Sequence, residues 1–191
     1  TVSSATVVQT QGFNPQTIVT TAQNSMPTVN AVKNNYLATV GNDVIFNNKV
    51  YGLPLVVDTM AMYYNKDLLD ASGIATPPAN WEEFLLAVKQ ATKVDPNDPT
   101  KIIQSAAALG TANNIDNAAD LYALLLLQKG LKVIDKGSVA FIQDSNTRGK
   151  ESPAFESLRF YTDFARQDKE AYTWNEGQEN AFDQFVRGQS V

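Results

Sequence analysis

The strongest hydrophobic signal along the chain is the run Leu55 to Tyr64, interrupted by Asp58 and entered through Gly52 and Pro54. Val, Tyr and Met dominate it, and Asn65-Lys66-Asp67 stops it. An apolar run of this length with a β-branched entry predicts a strand buried on both faces, as in parallel or mixed α/β sheets. A helix is the competing reading. A second buried strand is predicted from Ile102-Ile103 through Leu109, ending on Gly110, with Thr111-Ala112-Asn113-Asn114 as the loop that follows.

Helical spacing appears between and after these runs. Pro27 at a first turn, then Val29, Val32, Tyr36, Leu37 and Val40, predict one amphipathic helix stopped by Gly41. Lys66 to Ala71 predicts a short helix closed by Gly73. Asn80 with Glu83 forms a capping box, and Trp81, Phe84, Leu85 and Val88 make the buried stripe of the helix it starts. Ala118 to Lys129 is apolar enough to be a buried helix, capped by Asp116 or Asn117 and ended by Gly130. Ser152-Pro153 opens a helix over Ala154 to Gln167, with Phe155, Leu158, Tyr161, Phe164 and Ala165 on one face. A last helix, Glu179 to Arg187, places Phe182, Phe185 and Val186 inward.

Turn chemistry fills the gaps. Asn47-Asn48 predicts a hairpin turn, and Asp95 to Pro99 a break. Residues 131–150 read as a connecting loop with one short apolar run, Val139 to Ile142. Residues 1–25, rich in Thr, Gln, Ser and Asn, read as mostly exposed, irregular or weakly helical. Strands alternating with helices give the α/β class.

Composition narrows the function classes. The 191 residues are 43% apolar and 18% charged, as a globular chain is, and the net charge of −5 argues against nucleic acid as a partner. The apolar runs are too short to span a bilayer directly. No Cys and no His is present, which removes thiol chemistry and the commonest general base and metal ligand. No phosphate-cradling glycine loop and no nucleophile elbow appears, so no catalytic residue, metal or cofactor is implied. Thr1-Val2-Ser3-Ser4 lacks the marks of a signal peptide.

Chemistry concentrates at a few positions. A carboxylate inside an apolar run, Asp58, is either satisfied by backbone amides or a basic neighbour, or faces a wet cleft. Thr111, Asn113 and Asn114 follow a predicted strand end, where open α/β sheets place ligands; plain turn and capping chemistry is the alternative. Trp174, in Tyr172-Thr173-Trp174-Asn175, either stacks on a ligand or lids the core. Trp81, Tyr63 and Tyr64 read as core.

Tyr51-Gly52-Leu53-Pro54-Leu55-x-x-Asp58-x-x-Ala61-x-Tyr63-Tyr64-Asn65-Lys66-Asp67-Leu68-Leu69, then Gly73-Ile74 and Pro78-x-x-Trp81-Glu82-Glu83, closely resembles the family 1 extracellular solute-binding proteins of bacterial ABC importers. These are maltose-binding-protein-like sugar receptors. The resemblance runs from about Pro27 to Val191, with Asn48 where the family's turn usually carries Gly. It implies a type II periplasmic-binding-protein fold: residues 1–52 the end of a first lobe and the hinge approach, 53–191 a second, C-terminal lobe cut at Val191. By this reading the chain is a fragment without its export signal, and the receptor sits in the periplasm or on the outer face of the cytoplasmic membrane. Its partners are a small-molecule ligand, a sugar or oligosaccharide, and the importer's membrane subunits. Lobe closure hinges near Tyr51 to Leu55. Asp58, Asn114 and Trp174 are expected on one concave surface, with Thr111 and Asn113 beside them, and sugar binding by this piece is expected to be weak. The competing readings are a glycoside hydrolase pairing Asp58 with Asp116 or Asp120, and a surface interaction domain without a small ligand.

Overall fold

The computed structural model describes residues 2–7, 19–24, 27–141 and 152–191. The chain falls into two units, Thr1–Ala61 and Met62–Val191.

In the first unit β1 (Val2–Val7) and β2 (Val19–Asn24) pair antiparallel, Val2 opposite Asn24 and Val7 opposite Val19. This corrects the expectation of an irregular or weakly helical start. Val and Thr recur in both segments, and their branched side chains suit a pleated strand better than a helix. Residues 8–18 lie outside the described residues. α1 (Val29–Asn35) starts where Thr28 Oγ1 accepts the Ala31 amide at 3.1 Å. It ends at Tyr36, whose backbone is extended, and the chain restarts as α2 (Ala38–Val44). The single helix expected here is therefore two, and Gly41 sits inside the second. Asn35 supplies the physical reason: its Nδ2 donates to the Ala31 carbonyl at 2.7 Å, and such side-chain bonds compete with the helical ladder. β3 (Ile45–Phe46) and β4 (Lys49–Val50) then pair across Asn47 and Asn48, at φ 47° and 57°. Positive φ at both central residues is the turn whose twist matches a hairpin, and Asn tolerates it.

The Leu55 to Tyr64 run departs furthest from expectation. It is neither strand nor helix, and its side chains are exposed, Leu55 to 96% and Tyr63 to 80%. A strand buried on both faces needs partners along its edges. Among the described residues every sheet is a two-stranded antiparallel ladder, and none includes this run.

In the second unit α3 (Lys66–Ala71) is capped by Asn65 Oδ1 on the Leu68 amide, 3.2 Å, and closed by Gly73 at φ 75°. α4 (Trp81–Ala91) carries the expected Asn80 cap, its Oδ1 accepting the Glu83 amide at 2.9 Å, while Glu83 Oε2 reaches back to the amide of Ala79, one residue before the cap, at 2.8 Å. β5 (Lys93–Asp95) and β6 (Asp98–Gln104) form a hairpin across Pro96-Asn97. The second predicted strand is thus shifted toward the N-terminus and open on one side, with Ile103 54% exposed. The backbone beyond it makes a parallel bridge, Ser105 with Ser190, the one parallel pairing among the described residues. α5 (Ala118–Gln128) ends at Gly130, φ 77°, while Asn117 at its start makes no side-chain cap. A small hairpin, β7 (Ile134–Asp135) with β8 (Ser138–Val139), occupies part of the expected loop, whose last part, 142–150, lies outside the described residues. α6 (Pro153–Asp163) is capped by Ser152 Oγ on the Phe155 amide, and α7 (Ala181–Val186) by Asn180 Oδ1 on the Phe182 amide.

The core of this unit is Val88, Leu109, Leu125, Tyr161 and Phe164. Around it Trp81, Phe84, Phe160 and Phe164 meet edge-to-face with ring centroids 5.2 to 6.0 Å apart, the arrangement ring quadrupoles favour. α6 turns Ala154, Ser157 and Tyr161 inward, leaving Phe155 and Leu158 exposed, a rotated face compared with expectation. In α7 Gln184 is buried while Phe182 and Val186 face out, again against expectation. The helix start is fixed by the Ala181 amide on the Asn114 carbonyl, 2.9 Å, and Asn180 Nδ2 on Asp116, 3.0 Å, which set its rotation.

Candidate functional site

The site grows from Gly110. Its φ of 107° suits glycine, and a Cβ there would lie 2.6 Å from the Ala165 nitrogen, so the chain presses on the turn after α6. The next carbonyl, Thr111, accepts the Tyr161 hydroxyl at 2.6 Å, and burial pushes that phenol's pKa up. Thr111 Oγ1 donates to Asn114 Oδ1 at 2.5 Å, and Trp174 Nε1 donates to the same oxygen at 3.0 Å. Asn114 Nδ2 donates to the carbonyls of Asn175 and Gln178, both at 3.0 Å.

The loop carrying Trp174 is held equally well. The Thr173 and Trp174 amides both reach the Phe164 carbonyl, at 2.9 and 3.2 Å. Thr173 Oγ1 accepts the Ala106 amide at 2.7 Å and is 2.7 Å from Thr92 Oγ1. Two loops distant in sequence are therefore joined by fully used polar groups, which is how buried polar atoms persist.

Each residue singled out in the sequence has a definite place. Asp58 is exposed and belongs to the first unit, where its Oδ1 accepts the Thr59 amide at 2.8 Å. Thr111, Asn114 and Trp174 are together in the second unit, but inside it: Thr111 and Asn114 are buried, and Trp174 is 0% exposed. No face of the indole is open to a ligand. A buried indole N–H needs an acceptor, and Asn114 supplies it. Asn113 points outward, with Nδ2 3.3 Å from Glu176 Oε2. An amide beside a carboxylate offers donors and acceptors together, which suits hydroxyl groups. Glu176 escapes the sequence reading, and Tyr161 enters it only as a core residue. Glu176 has a sequence signal, its place two residues after the loop tryptophan, whereas Tyr161 carries only the signature of a core residue.

Among the described residues no group of three or more acidic, His or Cys side chains could hold a metal ion, and no helix is long and apolar enough to cross a membrane.

The profile of the family described as bacterial extracellular solute-binding protein matches residues 2–190. Among curated proteins, the chain is similar to three from Brucella: one from Brucella abortus (strain 2308), one from Brucella abortus biovar 1 (strain 9-941) and one from Brucella suis biovar 1 (strain 1330), each provisionally named a binding protein. Each is 45% identical over 52 residues, which are 27% of this chain and 13% of the relative. No solved structure gives a significant match.

Proposed function

The chain belongs to the bacterial extracellular solute-binding proteins, and from that membership we propose that it serves a receptor that captures a small solute outside the cytoplasm and passes it to an ABC importer. The receptor acts in the periplasm or on the outer face of the cytoplasmic membrane, and it binds rather than transforms its ligand. The observation that carries this reading is the family match over residues 2–190. The type II periplasmic-binding-protein fold goes with the family, with residues 53–191 assigned to its C-terminal lobe.

Within that reading the ligand is a carbohydrate. Support comes from two outward groups of the second unit: the Asn113 amide and the Glu176 carboxylate beside it. Carboxylates accept hydroxyl hydrogen bonds and amides both give and accept them, as a hydroxyl-rich ligand requires.

Isothermal titration against a panel of oligosaccharides, amino acids and dipeptides tests the proposal. Heat from oligosaccharides alone is expected. Binding of peptides alone would move the ligand class, and glycoside hydrolysis lost on Asp58→Asn would replace the receptor by an enzyme.

A further inference from the structure

Asn114 spends its whole side chain on the protein. A primary amide has two N–H donors and two acceptor lone pairs. Here the donors go to the carbonyls of Asn175 and Gln178, and the oxygen accepts from Thr111 Oγ1 and Trp174 Nε1. At 9% exposure the amide has no capacity left for a ligand. Three of its partners lie 60 to 64 positions away in sequence, so the group ties two loops that nothing local holds together.

The neighbouring side chain does the opposite. Asn113 is exposed, and its Nδ2 lies 3.3 Å from Glu176 Oε2, which is also exposed. Glu176 sits between residues fixed by the latch. Asn175 gives its carbonyl to Asn114, takes the Gly177 amide on its own Oδ1 at 2.8 Å, and donates its amide to Gln178 Oε1 at 3.2 Å. The separation of Asn113 from Glu176 is therefore set by the buried amide between their loops. At 3.3 Å, in solvent, the direct Asn113–Glu176 bond is long and weak, and ligand hydroxyls replace it at little cost.

We infer that Asn114 is a positioning residue that never touches ligand. It latches the Tyr172–Gln178 loop to the Thr111–Asn114 loop, and so presents the Asn113 amide and the Glu176 carboxylate as a pair that grips adjacent hydroxyls of a polyhydroxylated ligand. The inference rests on the receptor reading above and assigns Glu176 to the ligand.

Asn114→Asp separates the parts of the latch. It keeps an oxygen for Trp174 and Thr111 but removes both N–H donors to the Trp174 loop. Hydrogen exchange in the ligand-free protein is expected to quicken at least about tenfold over 175–178, since two hydrogen bonds to that loop are lost, while the Trp174 indole N–H stays protected. A loss of general stability would instead quicken exchange throughout. Unchanged exchange over 175–178 overturns the latch. The pair is tested separately by titrating Asn113→Ala and Glu176→Gln with maltotriose and cellobiose. Both positions are exposed, so these variants keep the fold even if the Asp variant does not. Each is expected to weaken binding about tenfold. If sugar binds the variants as it binds the parent, the pair is wrong. If the parent binds neither sugar, the carbohydrate reading falls, while the exchange result still decides the latch.

Discussion

The hydroxyl of Tyr161 donates a 2.6 Å hydrogen bond to the carbonyl oxygen of Thr111, 50 positions earlier in the chain. Both residues are buried, and Gly110 beside them lies against Ala165. The loop that bears Asn113 and Asn114 is thus sewn to the end of α6 by one side chain and one close backbone approach.

Removing that hydroxyl leaves a buried carbonyl without its partner. Tyr161→Phe should cost about 1–3 kcal/mol, read as a lower urea midpoint with an unchanged slope. The same variant has a signature in alkali. Burial raises the phenol's pKa above its ordinary 10.0, so the unfolded chain ionises this tyrosine first. Its contribution to stability is whole below about pH 10 and is lost as the pH climbs through the raised folded value. Stability of the parent should fall more steeply there than that of Tyr161→Phe. Tyr122, raised by burial in the same direction, keeps the variant's curve from becoming flat.

Gly110→Ala tests the close approach. The new methyl group would meet the Ala165 nitrogen at 2.6 Å and Ala165 Cβ at 2.8 Å, on a backbone at φ 107°. Strain of both kinds should cost about 2 kcal/mol or more, seen as a lower Tm. Gly130→Ala, with open space around it, should cost less; its φ of 77° is the remaining strain.

Asn80→Ala removes the oxygen that accepts the Glu83 amide and the amide that Glu83 Oε1 accepts at 2.9 Å. The expected loss is about 1 kcal/mol, measured by urea melts. Asn80→Asp keeps the capping oxygen but sets its second oxygen against Glu83 Oε1, so it should recover only part of the loss.

These caps and turns are legible in the sequence because their chemistry is local. Asn47-Asn48 and Asn80 with Glu83 each settle their conformation within a few residues. Trp174 is not legible in that way. A tryptophan in a polar loop reads the same whether its ring greets a ligand or fills the core, and the deciding amide is 60 positions away. Leu55 to Tyr64 fails for a related reason: apolarity states what a segment gains by burial, and burial requires strands to flank it. In α6 the spacing marks one apolar face; Tyr161 of that face is buried, but Phe155 and Leu158 are exposed while Ala154 and Ser157 are buried, because helical spacing does not state which part of a face its neighbours cover.

Asp58→Asn should leave the unfolding free energy from urea melts within about 0.5 kcal/mol of the parent, since the residue is exposed and bonds the adjacent amide. If its carboxylate meets the ligand, as the family resemblance implies, sugar affinity should drop about tenfold or more in isothermal titration.

The exposed path from Leu55 to Tyr64 also determines where the chain can be cut. A protease must draw several residues of extended backbone into its own cleft, and segments without ladder hydrogen bonds yield most readily. This path passes through Ala61 and Met62, where the two units meet in sequence, and it offers Leu55, Met62 and Tyr63, large apolar side chains that chymotrypsin prefers. Brief digestion should nick the protein here before it touches α4 or α6. The segments that carry α4, α6 and the Asn114 latch should then outlast this path, as the order in which fragments appear by mass spectrometry will show.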